Sequence, residues 1–191
     1  EMVQAQCDKF HCQQAVQKKN LSIVEDIGSK MSQKLLTKSR LRNDKDMSMS
    51  GYEYLIMTIL YKYIKDGSRV PFTIKELKLR MQFKKSGKWQ LCMDIKTFKD
   101  TLDSLVKHHC IELLEPAKGQ KNVFDNTRIK MKRGLKNFND KYIEFYYSTA
   151  RAFISKQITQ NEFKVFLCIV NNIRDSKSCT IEDIDRILGI G

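Results

Sequence analysis

The residues able to do chemistry fall into a few small groups. Cys7, His11 and Cys12 carry metal-ligand atoms at close spacing, and Cys7 with His11 would share a helix face at i, i+4. A fourth ligand is missing nearby, and the plainer reading is an amphipathic helix whose thiols act as small apolar groups. His108, His109 and Cys110 stand where a helical pattern gives way to a strand-like one. Histidine at such a junction caps the helix end, where partial negative charge favours a cation. Asp44 with Asp46, and Glu182 with Asp183 and Asp185, place carboxylates close enough to suggest acid–base chemistry. The first pair lies in a linker and the second group on a short exposed helix, so both read as solvated. No nucleophile elbow, phosphate-binding loop or metalloprotease motif occurs. The expectation is a protein that is not an enzyme and needs no cofactor or metal.

Cations make the more promising groups. Lys84, Lys85 and Lys88 flank Trp89, an aromatic suited to stacking on a base, anchoring a protein, or packing beneath an insertion loop. Lys96 and Lys99 fall on the polar side of an amphipathic helix. Further on, Lys118, Lys121, Arg128, Lys130, Lys132, Arg133 and Lys136 are opposed within their interval only by Asp125. Sharing a face, they would neutralise several phosphates without regard to base sequence. The whole chain repeats the bias: 35 Lys+Arg against 22 Asp+Glu give a formal net charge of +13. Such a charge favours an anionic partner, either nucleic acid or an acidic protein.

The elements that must position these groups can be read from period and caps. Hydrophobic residues at 41% with 30% charged describe a chain able to bury a core. Tyr52, Leu55, Ile56, Ile59, Leu60, Tyr63 and Ile64 have the spacing of a buried helix face. Thr73 with Glu76 forms a capping box, which ties up free amides at a helix start, and Ile74, Leu77 and Met81 follow on one side. Lys84 to Trp89 is broken by a Ser-Gly turn. Asp94 caps a helix with Ile95, Phe98, Leu102, Leu105 and Val106 inward and Lys96, Lys99, Asp103 and Lys107 outward. Its outer face is mixed in sign, unlike a strong major-groove reader. Cys110 to Glu115 and Thr127 to Met131 read as two strands of a hairpin, or wing, around a polar turn.

Elsewhere, Ser22 with Glu25 suggests a helix bearing Ile23, Ile27 and Met31. The segment from Lys38 to Ser50 is a linker. A long helix is expected from about Asn139 through Phe153 as an aromatic connector. Thr159 with Glu162 and Thr180 with Asp183 cap two more helices, repeating the earlier order of apolar helix, polar gap and Thr-capped helix. The fold class so derived is mostly α with small β wings, a tandem winged-helix protein. Its expected parts are an N-terminal helical extension and linker over 1–50, a first winged helix over 51–134, and a connector with a second, truncated winged helix over 135–191. Cysteines at 7, 12, 92, 110, 168 and 179 lack the paired spacing of zinc or disulfide scaffolds and suggest a reducing compartment. No apolar run approaches the ~18 residues that span a bilayer, so no membrane partner is expected. A first residue other than Met, and an end just after a helical pattern, are what a fragment of a longer protein would show.

From about Gly51 onward the chain resembles the C-terminal half of the middle subunit of CST telomere complexes, which is similar to the middle subunit of replication protein A. The resemblance is carried by FTIKEL (72–77), by Ile95 to Leu114 as recognition helix plus strand, by NVFDN (122–126) and by the aromatic connector. The Lys/Asn/Gln-tinged composition is similar to that of ciliate proteins, where this subunit belongs to the telomerase holoenzyme. The resemblance implies a nuclear, telomeric protein-docking module whose partners are other subunits of a telomere or replication complex, with weak nucleic-acid contact. A DNA-binding barrel would lie upstream. PFTIKEL (71–77) and IELLEP (111–116) also resemble the C-terminal domain of an origin recognition complex subunit, and plasmid initiators share the tandem layout. Those alternatives imply duplex DNA binding in replication initiation or transcription.

Overall fold

Helix α1 (Gly51–Tyr63) is apolar nearly all round: Tyr54, Leu55, Ile56, Met57, Ile59 and Leu60 are all within 1% of complete burial. Such a helix has no solvent face and must sit inside its neighbours. Ser50 opens it with a full capping box, its hydroxyl accepting from the Glu53 N–H and the Glu53 carboxyl accepting from the Ser50 N–H. In the computed structural model, the residues described are 27–32, 49–64, 72–116, 119, 121–131, 142–174 and 177–188.

Extended residues 72–73 lead into α2 (Ile74–Arg80), whose Thr73–Glu76 capping box is present as the spacing predicts. A ribbon follows, β2 (Gln82–Lys85) paired with β3 (Lys88–Leu91), turning through Ser86 at φ 49° and Gly87 at φ 80°. Positive φ at both turn residues matches the right-handed twist of a tight hairpin, and glycine adopts it without strain. Asp94 caps α3 (Ile95–Lys107), which buries Phe98, Thr101, Leu102 and Leu105. The helix stops at His108, with His109 at φ 56° and the Cys110 N–H donating to the Leu105 carbonyl.

Strands β4 (Ile111–Leu114) and β5 (Arg128–Met131) pair antiparallel, with the short helix α4 (Val123–Asn126) between them. Residues 72–74 lie along the free edge of β5: Thr73 bridges Arg128, the Ile129 N–H donates to the Phe72 carbonyl at 2.8 Å, and the Ile74 N–H donates to the Thr127 carbonyl at 3.0 Å. β6 (Tyr142–Tyr146) pairs antiparallel with β1 (Ile27–Ser32). Helices α5 (Tyr147–Ile154), α6 (Gln160–Arg174) and α7 (Ile181–Leu188) complete the chain. Among the described residues the protein is mostly helical, with three small antiparallel two-stranded sheets.

The core is continuous from α1 to α6. Phe153 of α5 stacks between Tyr52 of α1 and Phe163 of α6, with centroids at 5.2 and 5.1 Å. Phe145 of β6 meets Phe166 edge-on, and Tyr63 meets Tyr147 likewise. The boundary expected between 134 and 135 lies outside the described residues, as do the linker up to 48 and the Ser22 and Glu25 cap.

Four expectations are corrected. Residues 142–146 form a strand, not the middle of a helix running from 139 to 153; Ile143 and Phe145 are buried while Glu144 and Tyr146 are exposed, a period of two that the aromatic spacing concealed. Ile27 and Met31, expected on a helix face, stand in β1, where the backbone pairs across to β6 with a register shift between Ile27 and Ser29. Long-range pairing has overridden local preference. Ile95 and Val106 of α3, expected inward, are 49% and 38% exposed, because they lie at the margins of the stripe set by Phe98, Leu102 and Leu105. The tip of the wing contains the helical turn α4, not a plain turn.

Candidate functional site

The β2–β3 hairpin brings Lys84, Lys85, Lys88 and Trp89 together. All four are exposed, Trp89 at 64%. Residues directly opposite in an antiparallel pair share a face, so Lys84 stands beside Trp89 on one side, and Lys85 beside Lys88 on the other. The ribbon is held at its base: the Cys92 N–H donates to the Met81 carbonyl, and half-buried Phe83 carries the Lys156 ammonium 5.9 Å from its ring centroid. Trp89 therefore does not pack beneath the ribbon.

On α3, Lys96, Lys99, Asp100, Asp103 and Lys107 are all exposed, so cations and carboxylates alternate there. Lys99 also reaches over the Phe124 ring of α4, with its ammonium 5.0 Å from the centroid. On the β4–β5 ribbon Arg128 and Lys130 point outward while Ile129 and Met131 are buried, as period two requires. Lys130 lies 3.7 Å from Glu112 across the strands. Lys121 is exposed, and its carbonyl accepts from the Asn126 side chain. Asp125, the lone acid of that interval, is bound by Lys78 at 2.7 Å. Lys118, Lys132, Arg133 and Lys136 lie outside the described residues, as do Cys7, His11, Cys12, Asp44 and Asp46.

A buried polar node escaped the sequence reading. The Glu53 carboxyl, 3% exposed, accepts from the Ser50 N–H at 2.7 Å and the Ser104 hydroxyl at 2.8 Å, with His108 Nδ1 at 2.9 Å. It thus binds the start of α1 to the end of α3. Lys164 of α6 is 5% exposed; burial pushes its pKa below the usual lysine value, and the nearby Glu53 partly opposes this. The signal was present in Ser50 and Glu53, an S-x-x-E spacing, but their pairing with Ser104 and His108 is a property of the folded chain. His108 does end its helix, as expected, while its side chain turns to Glu53.

Other polar groups are similarly occupied in packing or capping. The Asp94 carboxyl is held below the usual carboxylate range by the Thr97 hydroxyl and amide. Burial pushes the Cys92 thiol up to about 12, which leaves it protonated and unreactive at neutral pH. Cys92 lines an open cleft of about 640 Å³ together with Tyr52, Phe153, Lys156, Ile158 and Lys164. Among the described residues no group of three or more His, Cys, Asp or Glu side chains is placed to hold a metal, and no helix is long and apolar enough to cross a membrane. No protein-family model, curated protein or solved structure matches this chain.

Proposed function

We propose that this chain is a non-enzymatic tandem winged-helix module that holds together subunits of a telomere or telomerase assembly in the nucleus, at chromosome ends. One observation carries the reading: residues 72–74 lie against β5, which pairs with β4. Helix, edge strand, helix, helix and two-stranded ribbon follow one another from α1 to β5, the order of a winged-helix unit, with the β2–β3 hairpin inserted between the second and third helices. The succession of α6, a short gap and the Thr180-capped α7 supports a second, shorter unit. Its cap is reciprocal: the Thr180 hydroxyl accepts from the Asp183 N–H, and the Asp183 carboxyl accepts from the Thr180 N–H.

Docking is favoured over duplex reading by the sign pattern of α3. A helix seated in a major groove faces phosphates on both sides, and Asp100 and Asp103 would be repelled there. Affinity purification of the tagged chain from nuclei, with nuclease present throughout, tests the proposal. Telomere or replication subunits retained in fixed ratio support it; their absence, or their loss on nuclease treatment, overturns it.

A further inference from the structure

The β2–β3 hairpin is unusual in what it lacks. From Gln82 to Leu91 it carries Lys84, Lys85 and Lys88 and no carboxylate. Lys85 and Lys88 stand directly opposite each other beside the turn. Like charges in that register weaken a ribbon, and a bound polyanion removes the repulsion. Between 84 and 90 the lone apolar side chain is Trp89, which sits 64% exposed beside Lys84. An aromatic that anchors a protein partner is ordinarily ringed by further contacts that exclude water. Here the residue directly across the ribbon is Lys84, and the exposed residues from 84 to 90 are otherwise lysine, serine, glycine and glutamine.

We propose that this hairpin is a binding platform for single-stranded nucleic acid. A base stacks on the Trp89 indole, and the flanking phosphates are held by Lys84 on the same face and by Lys85 and Lys88 across the ribbon. Every base offers a flat face, so the contact is indifferent to sequence. A duplex keeps its bases stacked on one another and cannot present one to the indole. Phe83 packs against the core with the Lys156 ammonium 5.9 Å from its ring centroid, which holds the base of the ribbon while residues 84–90 stay exposed. This inference goes beyond the docking proposal and does not rest on it.

The chain contains a single tryptophan, so its fluorescence reports directly on the platform. Titration of the whole chain with a 15-nucleotide oligothymidylate should quench that emission in a saturable, salt-sensitive way, with a duplex of equal length giving much less. Trp89→Ala, followed by anisotropy of a labelled strand, should weaken binding by roughly tenfold or more. Lys84→Gln, Lys85→Gln and Lys88→Gln together retain the fluorophore and should lower the slope of log affinity against log salt by about 2. Thermal melting of each variant checks that folding is intact, and if one variant fails to fold the other decides the matter. Binding that is unchanged in the folded variants, a preference for duplex, or equal quenching by a polyglutamate peptide would each overturn the proposal. Loss of protein partners with strand binding intact would instead count against the docking proposal alone.

Discussion

The buried Glu53 carboxyl makes three directional contacts that tie two helices together. It caps its own helix and gathers Ser104 and His108 from α3, with Lys164 nearby from α6. Truncating it would leave a half-buried hydroxyl and imidazole without their acceptor and buried Lys164 without its neighbouring carboxyl. Glu53→Ala is therefore expected to cost about 3 kcal/mol, read from urea denaturation. A loss below about 1 kcal/mol would mean that water replaces the carboxyl. Asp94 provides a pH test at the opposite extreme of exposure. Its folded pKa is lowered, so its contribution to stability is full above the unfolded value of about 3.9 and disappears as pH falls through the lowered one. Asp94→Ala should melt below the parent at pH 7, and the two melting curves should converge as the buffer is taken below about pH 4.

At the scale of elements, the close approach of α1 and α6 decides the sign of a substitution that would otherwise be mild. Replacing an exposed helical glycine by alanine ordinarily stabilises. A Cβ on Gly51, however, would stand 2.9 Å from the Gln160 Cβ and 3.0 Å from its backbone. The two helix starts would have to separate, so Gly51→Ala is expected to destabilise by about 1–3 kcal/mol in the same urea assay; a gain in stability would show that the contact yields freely. Helices were the legible part of this sequence, because Thr73, Asp94, Thr159 and Thr180 announce their starts and apolar stripes give their length. Both termini of the β1–β6 pair were misread, since neither strand carries a local turn and each is defined by a partner more than a hundred residues away. The β2–β3 ribbon was half legible: its Ser-Gly turn was clear, while four-residue strands full of lysine gave little periodic signal.

For the molecule as a whole, continuity of the core bears on what the protein can be. Tyr52, Phe153 and Phe163 form one stack that joins the first and last thirds of the chain, while exposed cations stand on both ribbons and on α3. In the proposed docking module, that continuous interior holds the ribbons and α3 in fixed relation. The groups of the basic surface, and their division among the Ser-Gly turn segment, the Asp94-capped helix and the wing, were legible from residue type and spacing; that Lys84 faces Trp89 and Lys85 faces Lys88 was not, because it depends on strand pairing. Quantitative mass spectrometry of its nuclease-treated complexes decides whether this chain scaffolds a telomere or replication assembly, as proposed. Partner subunits are expected at near one-to-one ratio, retained after digestion of all nucleic acid. A chain recovered alone, yet bound with nanomolar, sequence-selective affinity to duplex DNA at physiological salt, would contradict it.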